Sequence, residues 1–205
     1  MKVGPRYKIC RSVGDSVFAK CETPKFQLSK AKKQGKSRMW KKGKTEYGTS
    51  LLEKQKMRYT YNLSERQLAN YVNKARAQKS KNPMHYLFGS IEKRLDNIIY
   101  RIGFVPTRQF ARQVISHGHI TVNGRRITIP SYVVKKGDHI QVREGSKGNA
   151  IFRNVAEKLQ QEKAPLWVSL DDHTLATKIT GEPDFDTRPE AYLDFNSVIE
   201  FYSRI

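Results

Sequence analysis

Asn123-Gly124 stands between Ile120-Thr121-Val122 and Arg125-Arg126-Ile127, and this pair constrains the fold more tightly than any other feature of the chain. Both residue types tolerate the positive φ of a type I′ turn, whose twist matches that of two antiparallel strands, so a β-hairpin is predicted here. The approach to it is helical. Leu95, Ile98, Ile99 and Ile102 share one face, Gly103 stops the run, and Thr107 is placed to cap a further helix over 108–117. In that helix Phe110, Ala111, Val114 and Ile115 face inward, leaving Arg108 and Arg112 together, one turn apart, on another side. Residues 94–126 therefore read as two short helices feeding a hairpin. Lys135-Lys136-Gly137-Asp138 then predicts a turn, and His139 to Arg143 a strand with Ile140 and Val142 inward.

The flanking sequence continues in both structural modes. Ser64-Glu65-Arg66-Gln67 is a capping-box signature ahead of the stripe Leu68, Tyr71, Val72 and Ala75. Asn82-Pro83 opens another helix, with the stripe Met84, Leu87, Phe88 and Ile91. Beyond Gly148 the spacing of Ile151, Val155 and Leu159 suggests a helix. Residues 166–170 and 175–179 look like two strands separated by Asp171-Asp172-His173. Pro183 and Pro189 mark a linker, and 190–203 is expected to be a final helix. Strands and helices segregated in this way predict an α+β fold with an antiparallel sheet.

Charge narrows the class of partner. Lys plus Arg number 39 against 19 Asp plus Glu, a formal net charge of +20. Such a balance points to nucleic acid or an anionic membrane. It is uneven: residues 1–45 hold 14 basic against 2 acidic side chains, and 157–205 hold 5 against 10. Two faces are expected to meet polyphosphate and the acidic end a protein, unless that end merely offsets the rest of the chain. Residues 25–45 lack a periodic apolar pattern and are expected to stay mobile until a polyanion neutralises them. No apolar run approaches the roughly 20 residues of a membrane span, and the N-terminus lacks the apolar segment of a secretory signal, so no membrane partner and a cytoplasmic setting are expected.

Arg94, Arg101, Arg108, Arg112, Arg125 and Arg126 lie within one short stretch. Guanidinium forks match phosphate oxygens and stack on unpaired bases, so this set predicts RNA contact. His117 and His119 flank Gly118 at a helix end, where an imidazole meets the helix dipole or a phosphate. Cys10 and Cys21 are the only cysteines. No standard zinc site can be built from them, so no metal and no cofactor are expected, and two free thiols are the default reading. No nucleophile triad, phosphate-cradling loop or dinucleotide fingerprint occurs, and no enzyme activity is expected.

The chain resembles the bacterial small-subunit ribosomal protein four (S-four) family along nearly its whole length. The resemblance is carried by Gly4-Pro5, Tyr47-Gly48, Leu52-Glu53-Lys54-Gln55-Lys56, Ser64 to Gln67, Arg94-Leu95-Asp96-Asn97-Ile98-Ile99-Tyr100-Arg101, His117 to Arg126, Pro130-Ser131-Tyr132 and Glu200-Phe201-Tyr202-Ser203-Arg204. It implies a primary binder of 16S rRNA that nucleates the body of the small subunit. It also implies a helical domain split in sequence (46–93 with 186–205), an inserted α+β RNA-binding domain (94–185, hairpin-module core 94–143) and a basic N-terminal extension (1–45). The expected RNA-binding set is Arg94, Arg101, Arg108, Arg112, His117, His119, Asn123, Arg125 and Arg126, joined by Lys54, Lys56, Arg58 and Arg66 in and around the helical matches. Family members meet ribosomal protein five through an interface that influences decoding accuracy, for which Glu200, Phe201 and Tyr202 are candidates. Basic residues before the Tyr-Gly pair, here Lys41, Lys42 and Lys44, are candidates for contact with mRNA where it enters the subunit. No homo-oligomer is implied. Two departures stand out: some relatives hold zinc through four N-terminal cysteines where this chain has two, and Lys33-Gln34-Gly35-Lys36 replaces a Gly-Gln-His-Gly loop.

Two rivals share the hairpin module. Arg94-Leu95-Asp96 is similar to the catalytic Arg-Leu-Asp of pseudouridine synthases, an RNA-modifying class, although no large catalytic domain accompanies it here. A stress-related module acting on stalled ribosomal particles needs little beyond the hairpin, which leaves the helical scaffold without a use.

Overall fold

The computed structural model describes residues 3–14, 17–34, 45–78, 82–149, 151–152, 165–171 and 176–204. In chain order the helices are α1 (Arg6–Val13), α2 (Pro24–Gln34), α3 (Glu46–Thr60), α4 (Glu65–Ala77), α5 (Pro83–Glu92), α6 (Leu95–Arg101), α7 (Arg108–Ser116) and α8 (Phe195–Ser203). The strands are β1 (Ile120–Val122), β2 (Arg125–Arg126), β3 (His139–Val142), β4 (Val168–Asp171) and β5 (Ala176–Ile179). The architecture is α+β. Two compact units divide the chain, residues 1–84 with 188–205 and residues 85–187.

The first unit is helical and discontinuous in sequence. Ser64 accepts from the Gln67 amide at 3.3 Å while Gln67 Oε1 accepts from the Ser64 amide at 3.1 Å, so the predicted capping box forms. It sets Leu68, Val72 and Ala75 into the interior. The last helix, α8, packs on α3 and α4, burying Phe195, Val198 and Phe201. It is shorter than the predicted 190–203 because Asp194 caps it, accepting from the Ser197 amide at 3.1 Å.

Two expectations about the N-terminal region are corrected. Residues 25–34 belong to a helix, because Pro24 occupies its first position, the Thr23 carbonyl accepts from Phe26 and Gln27, and Phe26 is fully buried. Cys10 and Cys21 form a disulfide and are not free thiols. Helix α1 and the 3-10 turn Ala19–Cys21 bring their Cα atoms to 6.5 Å, within bridging distance, and both pack against Phe26 with Tyr7 and Phe18 at the margin. The rest of the segment expected to be mobile, residues 35–44 with Lys41, Lys42 and Lys44, lies outside the described residues.

The second unit is a sheet with helices on one face. Asn123 at φ 50° and Gly124 at φ 76° make the predicted type I′ turn between β1 and β2. All pairings are antiparallel in the order β2-β1-β3-β5-β4, with Ile120 opposite Val142, Val122 opposite Ile140, and Ile140 opposite Thr177. One sheet face therefore buries Val122, Ile140 and Ile179 against Ile98, Ile99, Ala111, Val114 and Ile115 of α6 and α7. Successive side chains alternate faces, so Thr121, Arg126, His139, Gln141 and Lys178 share the other. Strand β4 starts at Val168, two residues later than expected, with Leu166 exposed. Of the helix predicted from Ile151, Val155 and Leu159, the last two residues lie outside the described ones.

The division at residues 84 and 85 places nearly all of α5 with the inserted unit, not with the split helical domain. Its last residues are tied there: Glu92 accepts from Asn97 and Arg101, and the Lys93 carbonyl accepts from the Val134 amide at 2.9 Å.

Candidate nucleic-acid interface

The arginines of residues 94–126 divide into two kinds. Arg94, only 2 % exposed, donates through Nε and Nη2 to Asp96 Oδ1 and Oδ2 at 2.9 and 2.7 Å. Arg112 Nε donates to the same Oδ2 at 2.7 Å. Arg101 grips Glu92 through Nε and Nη2 at 3.0 and 2.7 Å, and Arg108 donates to Asn97 Oδ1 at 2.6 Å with its guanidinium 4.3 Å from the centre of the Tyr100 ring. The whole set was expected to contact RNA; burial withdraws Arg94, Arg101 and Arg108 from solvent, while Arg112 keeps a partly exposed side chain. The reason lies at the start of α6, which lacks a side-chain cap of its own. There the Leu95 and Asp96 amides donate instead to the carbonyls of Tyr132 and Pro130, and the Arg94-Asp96-Arg112 cluster locks that junction. Such ion pairs add little net stability against apolar packing, but they fix geometry and are costly to break.

The second kind lies around the C-terminal end of α7. His117 ends the helix and Gly118 takes φ 74°. Arg126 Nη2 donates to the His117 carbonyl at 3.0 Å, and a Cβ on Gly118 would stand 1.9 Å from Arg126 Nε. The positive φ favours glycine at this position, and a β-carbon there would displace the Arg126 guanidinium. His119 Nδ1 lies 3.0 Å from Ser146 Oγ, which also accepts from Arg143 Nε at 3.3 Å. Burial, and then the charges of His117, Arg143 and Arg126, hold the His119 imidazole below its ordinary value. Arg126, His117 and Arg143 are exposed, so this end of the module presents a cationic rim, while the exposed Arg125 pairs with Val122 beside the hairpin turn, on the sheet face opposite to that of Arg126. Sequence reasoning passed over Arg143. Its signal is the outward register of His139, Gln141 and Arg143 in an alternating strand.

The remaining predicted residues separate in the same way. Asn123 turns its side chain inward to the hairpin: Nδ2 donates to Asp138 Oδ1 at 2.8 Å and Oδ1 accepts from the His139 amide at 2.9 Å. Lys54 is buried and donates to Glu65 Oε1 at 2.8 Å, with its ammonium 4.7 Å from the centre of the Phe201 ring. Arg58 donates to Glu65 Oε2 at 3.1 Å and Lys56 pairs with Glu53. Arg66 is exposed on α4. Of the three residues expected at a protein interface, Glu200 is exposed, whereas Phe201 is buried and Tyr202 donates to Glu65 Oε1 at 2.7 Å. That corrects the expectation for Phe201, whose ring forms part of the helical core.

No group of three metal-binding side chains comes together among the described residues. Asp96, the residue similar to a synthase aspartate, is 2 % exposed and holds two guanidinium groups, so it has no access to a nucleotide base. No helix among the described residues is long and apolar enough to cross a membrane.

A hairpin module with a cationic rim, set in a chain of charge +20, defines a basic RNA-binding protein. Residues 93–140 match the family described as S4 domain, and residues 2–88 the family described as Ribosomal protein S4/S9 N-terminal domain. The chain is 36% identical to small ribosomal subunit protein uS4 of Dehalococcoides mccartyi over 99% of both chains. It is 38% identical to that of Thermus thermophilus over 98% of both, and 34% identical to that of Aquifex aeolicus over 99% of this chain and 98% of the relative. The chain belongs to the small ribosomal subunit protein uS4 family.

Proposed function

We propose that the protein is a structural, non-enzymatic constituent of the small ribosomal subunit that binds 16S rRNA through the rim formed by His117, His119, Arg126 and Arg143, with Arg125 at the hairpin tip as a further contact. The observation that carries this is the exposure of His117, Arg126 and Arg143 at one end of the module, around a half-buried His119, while the neighbouring arginines are held in internal ion pairs. Arg112, partly exposed beside Asp96, extends the contact within this unit, and Arg66 on α4 is a contact made by the helical unit. Arg94, Arg101, Arg108, Asn123 and Lys54 act on RNA indirectly, by shaping the surface that meets it, and Lys56 and Arg58 sit between the two roles.

Within that role the protein acts early, gripping a junction of several RNA helices and nucleating the body of the subunit. Glu200 and the acidic residues around it are offered to ribosomal protein five, and through that contact to decoding accuracy. Lys41, Lys42 and Lys44 reach mRNA where it enters the subunit.

The test is salt-dependent binding to the 5′ domain of 16S rRNA against an equal mass of bulk tRNA. A strong preference for the rRNA is expected, with log affinity falling by about 0.7 to 0.9 per decade of salt for each phosphate neutralised. Equal binding to both RNAs would reduce the protein to a nonspecific polycation.

A further inference from the structure

His119 shares a buried hydroxyl, that of Ser146, with Arg143 of the same rim. Ser146 is fully buried, and its hydroxyl lies between two groups, accepting from Arg143 Nε while facing His119 Nδ1. A serine hydroxyl both donates and accepts. It can donate its proton to Nδ1 of the neutral ring, leaving Nε2 as the N–H donor, or rotate and accept from Nδ1 of the imidazolium. Both charge states of His119 are therefore held in one position. The Phe152 ring, 6.3 Å away between centroids, closes one side.

The charged and titratable groups near this ring come from three elements. His117 at the end of α7 has its ring 6.0 Å away, Arg126 comes from β2 and Arg143 from the residue after β3. Among the described residues no carboxylate balances them: Glu144, in the same 3-10 turn as Ser146, is 80 % exposed at its side chain and pairs with Lys147. Among the described residues, a protonated His119 therefore meets the like charges of His117, Arg143 and Arg126. One anion arriving there reverses that balance.

We propose that His119, His117, Arg126 and Arg143 form a phosphodiester-binding site that takes up a proton at His119 when RNA binds. The inference rests on the RNA-binding reading above and adds its control by pH. The sign follows from linkage. The free protein holds the imidazole low, a phosphate raises it, so affinity is flat above the bound-state value, climbs as pH falls between the bound and free values, and levels off below the free one.

The experiment is anisotropy binding of the full chain to 16S 5′-domain RNA and to tRNA at constant ionic strength from pH 5.5 to 8, with His119→Gln and Ser146→Ala beside the parent. Imidazole Cε1–H resonances, followed with and without RNA, read the proton directly. The parent should tighten about tenfold towards acid pH, the gain expected when bound phosphate strengthens the hold of one imidazole on its proton by the same factor. His119→Gln, which keeps a neutral N–H donor but cannot take up the proton, should lose most of the acid gain, read as the ratio of its affinities at pH 5.5 and pH 8. Ser146→Ala should weaken binding at both ends of the range. An acid gain of the same size in His119→Gln, or a His119 resonance that titrates identically with and without RNA, overturns the proposal. The two RNAs separate the failures: the slope on either one decides the phosphate site, whereas the preference between them decides the ribosomal reading.

Discussion

The Tyr202 hydroxyl donates to Glu65 Oε1 at 2.7 Å, fastening α8 to the first turn of α4 across 137 residues of sequence. Glu65 also accepts from Lys54 and Arg58, so one carboxylate gathers three elements of the helical unit. Burial raises the Tyr202 phenol, and the hydrogen bond to Glu65 raises it further, so it remains a donor at any physiological pH.

Tyr202→Phe removes this donor without changing the packing of the ring. A loss of about 1.5 to 3 kcal/mol is expected, in line with hydrogen bonds to charged groups. Urea unfolding of the variant against the parent measures it.

The same carboxylate gives a pH dependence. Burial favours its neutral form, but the hydrogen bonds from Lys54 and Tyr202, the Lys54 charge and the Arg58 bond outweigh that and hold Glu65 below its ordinary value of 4.5. The stabilisation is therefore present above about 4.5 and is lost as pH falls through the lowered folded-state value. Thermal unfolding from pH 6 to 3 should show a shallower acid decline in Glu65→Gln than in the parent.

Asp96→Ala should unfold the inserted unit or weaken it by about 3 to 5 kcal/mol, because it removes the buried carboxylate that Arg94 and Arg112 share. Circular dichroism and denaturant unfolding check this. A loss of RNA binding in that variant would follow from a collapsed surface and would not make Asp96 a contact.

Arg125→Ala and Arg101→Ala should fail in different ways. The first should leave the unfolding midpoint nearly unchanged and reduce the salt slope of RNA binding by about 0.7 to 0.9. The second should lower the midpoint through the broken pair with Glu92. Parallel salt titrations and melting curves tell them apart.

Gly118→Ala imposes a β-carbon at φ 74° and displaces the Arg126 guanidinium from the His117 carbonyl. A cost of about 1 to 2 kcal/mol is expected from the backbone alone. If RNA affinity falls as far as in Arg126→Ala, the glycine serves to seat that side chain.

What could be read from the sequence was what neighbours along the chain decide. Ser64 with Gln67, Thr107 ahead of Phe110, and Asn123 with Gly124 each contain their own partners, and each forms as expected. The helix around Phe26 was illegible, because it depends on burial against Cys10 and Cys21 rather than on any apolar period of its own. Arginine is equally suited to a phosphate and to a buried carboxylate. Nothing local distinguishes Arg94, whose partner is two residues away but whose burial is set by the 130–132 segment, from Arg125, which faces solvent. The pairing of the N-terminal thiols escapes the sequence for a related reason: it depends on a turn that composition does not display.

Because α8 completes the unit begun by α3 and α4, synthesis and folding run out of step. Residues 85–187 hold all the partners of their own sheet and can close while the chain is still being made. The packing of α3 and α4 is completed only when residues 195–203 arrive with Phe195, Val198 and Phe201. The part of the protein that emerges first is thus the part that matures last.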